Sequence, residues 1–291
     1  MKFSFESFVE GDFDYDRTTK THSCLWLRDE NMDIGGGKIT VEDIDKLKLY
    51  PDTDVVTISG LKQDTFEYFI KTYGKQLKAI RFFKNKFVED LSLLGTLPQL
   101  EYVHFFFNQR VTALWDMTQN TSLTGLCIQD FSRLTSIKGV ETAPALKEFI
   151  IGNAIWDKMT IDGLMPLSNA KIERFAFSGR AIENIDLSFL EQHLTLKTFD
   201  FATNLFTTEQ IAWIVANCPQ IEGYALRAKV DCMLFDSNEH LVDVPKAIIV
   251  GKRKPILKVE GNEERIQKYV DSFEKLKIKY KGLPYKTAFP S

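Results

Sequence analysis

Four cysteines (Cys24, Cys127, Cys218, Cys232) and four histidines (His22, His104, His193, His240) are the side chains best suited to nucleophilic or metal chemistry in this sequence. A catalytic thiol needs a base beside it, and a structural zinc site needs ligands in closely spaced pairs. Thr21-His22-Ser23-Cys24 supplies one possible pair without a second at metal-site spacing, and the other histidines stand isolated. Cys127 falls within a strand pattern, and Cys218, followed by Pro219, reads as a helix end. Gly35-Gly36-Gly37-Lys38 lacks the four-residue spacer, the following Ser/Thr and the preceding apolar strand of a phosphate loop, so it reads as a turn before a helix. No G-x-S-x-G, H-E-x-x-H, kinase or dinucleotide signature occurs. The expectation is no catalytic residue, no metal and no cofactor.

Composition narrows the class further. The 291 residues are 44% hydrophobic and 26% charged, with 23 phenylalanines, enough apolar material for a large, Phe-filled core. A formal charge of −3 argues against nucleic acid as a partner. The N-terminal segment lacks the apolar centre of a secretory signal, and no apolar run reaches the roughly 18 residues of a membrane helix. Scattered cysteines fit free, buried thiols in a reducing compartment. These readings predict a soluble cytoplasmic protein.

The positions that could bind a partner are ordered by a repeat. An apolar residue, two free positions, an apolar, one free position and another apolar recur as Leu77-Ile80-Phe82, Leu100-Val103-Phe105, Leu123-Leu126-Ile128 and Leu146-Phe149-Ile151. The pattern continues as Ile172-Phe175-Phe177, Leu196-Phe199-Phe201 and Ile221-Tyr224-Leu226. Thr53-Val56-Ile58 is a weaker first copy and Pro245-Ile248-Val250 a possible last one. Copies starting at 53, 77, 100, 123, 146, 172, 196 and 221 lie 23 to 26 residues apart. The last two apolar residues of each copy are two apart, so they share one face of a short strand. One unit cannot bury that face alone; neighbours must stack, with their strands in a parallel sheet.

Asn85, Asn108 and Asn204 follow the third apolar residue at one fixed offset. With them the array resembles the leucine-rich-repeat family, whose consensus is L-x-x-L-x-L-x-x-N-x-L, over about residues 53–245. Phe131, Ala154, Arg180 and Lys229 depart from the Asn position, so the Asn ladder should be interrupted there. The resemblance implies an α/β solenoid: a curved parallel sheet on the concave face and a mixed helical, 3₁₀ and irregular convex face. Asp64–Ile70 and Thr207–Val215 are predicted helices on the return side, the second opened by a Thr207/Gln210 capping box.

Two caps complete the prediction. In residues 1–52, Phe3 and Phe5, and Leu25 and Leu27, alternate like strands, and Thr40 caps a helix that Pro51 ends. In residues 246–291, strands Ala247–Val250 and Ile256–Val259, a helix from Glu263 to about Lys275, and an edge strand Lys277–Tyr280 form an α/β cap with a loose tail after Gly282. Residues 1–60 carry a charge of −6 and residues 246–291 carry +7.

Side chains flanking the buried strand positions must face away from the core. Adjacent copies should bring Arg81, Phe83, Tyr102, His104 and Phe106 into one aromatic and cationic patch, the residue types enriched in binding hot spots. Gln129, Glu148, Arg174, Asp200 and Arg227 continue this face, with Glu148 and Arg174 placed to pair. Seven strands about 4.8 Å apart would present a surface roughly 30 Å long. The function expected is non-catalytic binding of a protein or peptide partner on the concave strand face. The alternatives are an enzyme or enzyme regulator with its site in the C-terminal α/β subdomain, and an immunity-type toxin inhibitor using the same face.

Overall fold

The apolar triplets from Thr53 to Leu196 do form strands, in an α/β fold whose largest sheet is parallel and has eight strands. The computed structural model describes residues 3–11, 15–16, 21–22, 25–27, 38–236 and 242–290. Cys24, the triple glycine, His240 and the side chain of His22 lie outside the described residues. In chain order the elements are α1 (Phe5–Glu10), β1 (Tyr15–Asp16), β2 (Thr21–His22), β3 (Leu25–Leu27), α2 (Val41–Ile44), β4 (Val55–Ile58), α3 (Gln63–Tyr73), β5 (Ala79–Phe83), β6 (Tyr102–Asn108), β7 (Gly125–Phe131) and β8 (Glu148–Gly152). They continue with β9 (Thr160–Gly163), β10 (Arg174–Ser178), β11 (Ala181–Asn184), β12 (Thr198–Phe201), α4 (Thr208–Asn217), β13 (Lys229–Asp236), β14 (Val242–Ile249), β15 (Ile256–Lys258), α5 (Glu263–Tyr280) and α6 (Tyr285–Ala288). The chain divides into two compact units, residues 1–174 with 178–185, and residues 175–177 with 186–291.

In the first unit β3 to β8 pair consecutively and in parallel. Phe82, Phe105, Ile128 and Ile151 are register partners one above another, as the repeat requires, and the Phe82 and Phe105 rings stack with centroids 4.7 Å apart. Beneath them Leu77, Leu100, Leu123 and Leu146 are fully buried. Outside the strands the stacking continues as a backbone ladder: Lys78 N–H donates to Asp54 O, Glu101 to Lys78, Thr124 to Glu101, Lys147 to Thr124 and Glu173 to Lys147. Each copy thus satisfies the free donor of the next, which is what makes stacked units cooperative. Return segments are short 3₁₀ or irregular pieces, such as Ser92–Thr96 and Val140–Thr142, except for the expected helix α3. An unanticipated second parallel pair, β9 with β11, lies among them.

The Asn positions divide by burial. Asn85 Nδ2 donates to Ile58 O (2.9 Å) while its Oδ1 accepts from Leu61 N–H (2.8 Å). Asn108 repeats this with four bonds, whereas Asn204 is exposed. Lys84, Phe107 and Asp130, each 23 residues from the last, all have positive φ (57°, 62°, 56°). Three successive strands carry the same left-handed corner at or just past their carboxyl ends.

The N-terminal segment corrects one expectation. Phe3 and Phe5 do not alternate in a strand; Phe5–Glu10 is a helix. Ser4 Oγ accepts from Ser7 N–H (3.1 Å), Gly11 closes the C-terminus at φ 85°, and Phe5 and Phe8 share the buried face. An i,i+3 aromatic pair behind a serine N-cap suits a helix better than period two. The Thr40 helix has the capping box its sequence predicts, closed by Asp43, and Leu25–Leu27 is a strand that pairs in parallel with β4.

In the second unit, α4 carries the Thr207/Gln210 capping box, and β13, β14 and β15 form an antiparallel sheet. Because β14 runs antiparallel, Pro245-Ile248-Val250 is not a further parallel copy. The copy at Ile221 forms no strand, only a single bridge from Glu222 to Thr198, and Tyr224 is 50% exposed. Lys277–Tyr280 is the last turn of α5 and not an edge strand. Ile266, Phe273 and Tyr280, seven apart, make one buried stripe, with Lys277 and Lys279 at the negative end of the helix dipole. Nor is the tail loose. Tyr285 is buried against Trp213 (5.0 Å), and Trp213 Nε1 donates to Leu283 O (2.8 Å).

Among the described residues no helix is long and apolar enough to cross a membrane, and no group of three or more His, Cys, Asp or Glu could hold a metal ion.

Candidate functional site

The strand face opposite the core is assembled in the register the repeat predicts. Arg81 is opposite His104 and then Cys127; Phe83 is opposite Phe106 and then Gln129; Tyr102 is opposite Gly125 and then Glu148. Much of this face is nevertheless covered, because α1 lies on it. Phe5 and Phe8 pack with Val55, Ala79 and Cys127, joined by Trp26, Tyr102 and Ile150. The Tyr102 ring lies 5.4 Å from Phe5 and 5.7 Å from Phe8. Gly125 makes room for this: a Cβ there would lie 2.3 Å from Phe5 Cδ2. The surface expected to be one open aromatic and cationic patch is therefore split, with Tyr102 and His104 taken into a small second core. Sequence reasoning missed that core. Its signal was the Phe5-x-x-Phe8 spacing together with small residues, Ala79, Gly125 and Cys127, on successive outward strand positions.

His104 is 4% exposed. Arg81 Nε donates to its Nδ1 (3.4 Å), so Nε2 carries the proton and donates to Gln129 Oε1 (2.9 Å), which is the neutral tautomer. Burial, reinforced by the Arg81 charge, lowers its pKa from 6.5 to about 4. The unfolded chain binds this proton below pH 6.5 and the folded chain only near pH 4, so stability should fall as pH drops through that window. The expected loss is at most about 3 kcal/mol, and His104→Gln should flatten it in urea melts taken between pH 7 and 4. Burial likewise pushes the Cys127 thiol up, against a smaller opposing effect of Arg81, so it has no nucleophile's character.

Arg174 Nη1 sits 3.7 Å from both Glu148 Oε2 and Glu6 Oε1, tying α1 to the face through one cation. Partial burial raises the Glu148 pKa, opposed by Arg174. Asp200 and Arg227 belong to the second unit, where the Asp200 carboxylate accepts from Tyr224 N–H (3.1 Å) and Arg227 is exposed.

Phe83 and Phe106 escape the cover. They are half-buried and stacked on each other, with centroids 5.0 Å apart. Lys84 Nζ lies 5.1 Å from the Phe83 ring, and the nearby Phe87, 40% exposed, has Lys86 Nζ 4.9 Å from its own. This strip lies at the carboxyl ends of β5 and β6, the edge of a parallel sheet where ligand sites are commonly built. Next along that edge, Phe107, Phe131, Trp156 and Met159 line an open cavity of about 270 Å³ that sequence reasoning did not anticipate. No protein-family model matches the sequence, and none of the curated proteins is significantly similar to it.

Proposed function

We propose that the chain is a non-catalytic, leucine-rich-repeat-type interaction module of a reducing cytoplasm. On this reading a protein partner docks on the part of the concave strand face that α1 leaves open. The stacked, half-buried Phe83–Phe106 pair carries the proposal: these two adjacent large aromatics stand outside the cluster under α1, against which the half-buried Trp26 and Tyr102 pack. Exposed aromatic surface next to cations is what hot spots use. Lys84 and Lys86 favour a partner surface that is apolar at its centre and acidic at its rim. The backbone ladder, with rungs 23 to 26 residues apart, and the Asn85 and Asn108 side-chain bonds support the family reading; free, buried Cys127 and Cys218 support the compartment.

The test is a photo-crosslinking residue placed at Phe106 in the native cell, with Thr96, exposed on the return side, as control. A discrete adduct is expected from position 106, none from position 96, and loss of the adduct when Phe83 is also changed to Ser. The absence of any adduct at 106, or one that survives Phe83→Ser in folded protein, would overturn this placement.

A further inference from the structure

The cavity at the carboxyl ends of β6 and β7 is a built site and not a gap between loops. Phe107 holds φ 62° in the left-handed corner it shares with Lys84 and Asp130, so the repeat itself fixes where its ring stands. In that corner its ring stands 4.6 Å from the Trp156 ring, at an interplanar angle of 37°. The loop bearing Trp156 is fastened from both sides. The Asp130 carboxylate accepts from the N–H groups of Ala154 (3.1 Å), Ile155 (3.0 Å) and Trp156 (3.2 Å). Asn153 Oδ1 accepts from Lys158 N–H (3.3 Å) and Met159 N–H (2.9 Å). Walls held this way stay open without a ligand, so binding does not have to order them.

The lining defines what would fit. The half-buried Trp156 and the Phe107 ring packed on it offer aromatic surface, Met159 a polarizable thioether, and Phe131 a buried floor. The Asp130 charge is taken up by its three backbone donors, leaving Lys158 as the lining cation. Lys158 is exposed, and no carboxylate among the described residues forms an ion pair with it. At about 270 Å³ the space falls just below the roughly 300–1,000 Å³ of drug-sized sites, room for one or two fused rings and no more.

We propose that this cavity binds a small planar aromatic carboxylate, its ring against Phe107 and Trp156 and its carboxylate on Lys158. A cationic ligand would meet the Lys158 ammonium, and a nucleotide would exceed the volume.

The test titrates full-length, isotopically labelled protein with indole-3-acetate, uncharged indole-3-ethanol and cationic tryptamine, following the Trp156 indole N–H and the Met159 methyl. Saturable shifts are expected with indole-3-acetate, at an affinity about tenfold or more above tryptamine. Lys158→Gln should lose about tenfold for indole-3-acetate and leave indole-3-ethanol unchanged. Trp156→Ala should abolish both responses at Met159. Three outcomes would overturn the assignment: no saturable shift at ~10 mM indole-3-acetate, tryptamine binding as tightly, or an unaltered Lys158→Gln variant.

Discussion

Asn108→Ala should destabilise the protein by about 3 kcal/mol or more, while Asn204→Ala, at the same repeat offset, should stay within about 0.5 kcal/mol. Asn108 Nδ2 donates to Asn85 O and Val88 O, and its Oδ1 accepts from Arg110 N–H and Val111 N–H, all at 2.8 Å. Truncation takes their partner from Val88 O, Arg110 N–H and Val111 N–H and leaves Asn85 O only Val88 N–H (3.4 Å), at a site that is 4% exposed. Each orphaned buried group costs roughly 1–3 kcal/mol, and three such groups at the low end give the figure. Against a domain stability of about 5–15 kcal/mol that is a large fraction. Asn204 is exposed, and its loss removes nothing comparable. Urea unfolding should show a lower midpoint at unchanged slope for Asn108→Ala alone. Equal effects of the two substitutions would show that the Asn side chains do not fasten the copies together.

The same pair explains how far the sequence could be read. Period and strand polarity were legible because each copy repeats one burial problem, and seven spacings within three residues of each other leave little freedom. Phe82, Phe105, Ile128 and Ile151 follow from that alone. Which Asn becomes a buried tie was not legible: an Asn needs a neighbouring turn with free backbone groups, and the letter is identical where the turn lacks them. Asp130 makes the converse point. It stands one position before the Asn offset, in a left-handed corner, yet gathers three N–H groups of the next copy. Short patterns failed for a different reason. Lys277–Tyr280 alternates over four residues, too few to separate a strand from a helix turn, and the seven-residue spacing of Ile266, Phe273 and Tyr280 decides it.

The candidate site was half legible. The outward register placed Arg81, Phe83, Tyr102, His104 and Phe106 side by side, and they are. That α1 would lie on part of this row depends on an encounter between residues more than 100 positions apart in sequence, Phe5 with Gly125 and Cys127, which no local pattern encodes. The hydrophobic demand of this aromatic strand face is thus largely met within the chain; on the proposed function, a partner would be left the edge at Phe83 and Phe106.

Gly125→Val should release α1 and leave the sheet intact. The added Cβ would sit 2.3 Å from Phe5 Cδ2 and 2.6 Å from Phe5 Cγ, so the clash reaches the root of the ring, which a flip about χ2 does not move, and a change of χ1 takes the ring out of its seat. Valine is a favourable strand residue, and Leu126 and Ile128 still anchor β7 from the core side. A six-residue helix has no stability of its own, so once Phe5 is displaced α1 should unfold from the surface. Two buried phenylalanines are worth roughly 4–6 kcal/mol at about 2–3 each, so their loss should raise the alkylation rate of Cys127 at least ~100-fold. His104 should move from about 4 toward its ordinary value once water reaches it. Mass-spectrometric mapping of thiol labelling reads the first effect and histidine NMR titration the second; Phe5→Ala with Phe8→Ala removes the same cover without pushing on β7 and should reproduce both. An unreactive Cys127 in a folded Gly125→Val protein would mean that α1 does not close this face. If the cover does come away, the crosslink at position 106 decides its role. A yield that rises in Gly125→Val extends the docking surface beneath α1, and an unchanged yield confines the partner to the Phe83–Phe106 edge.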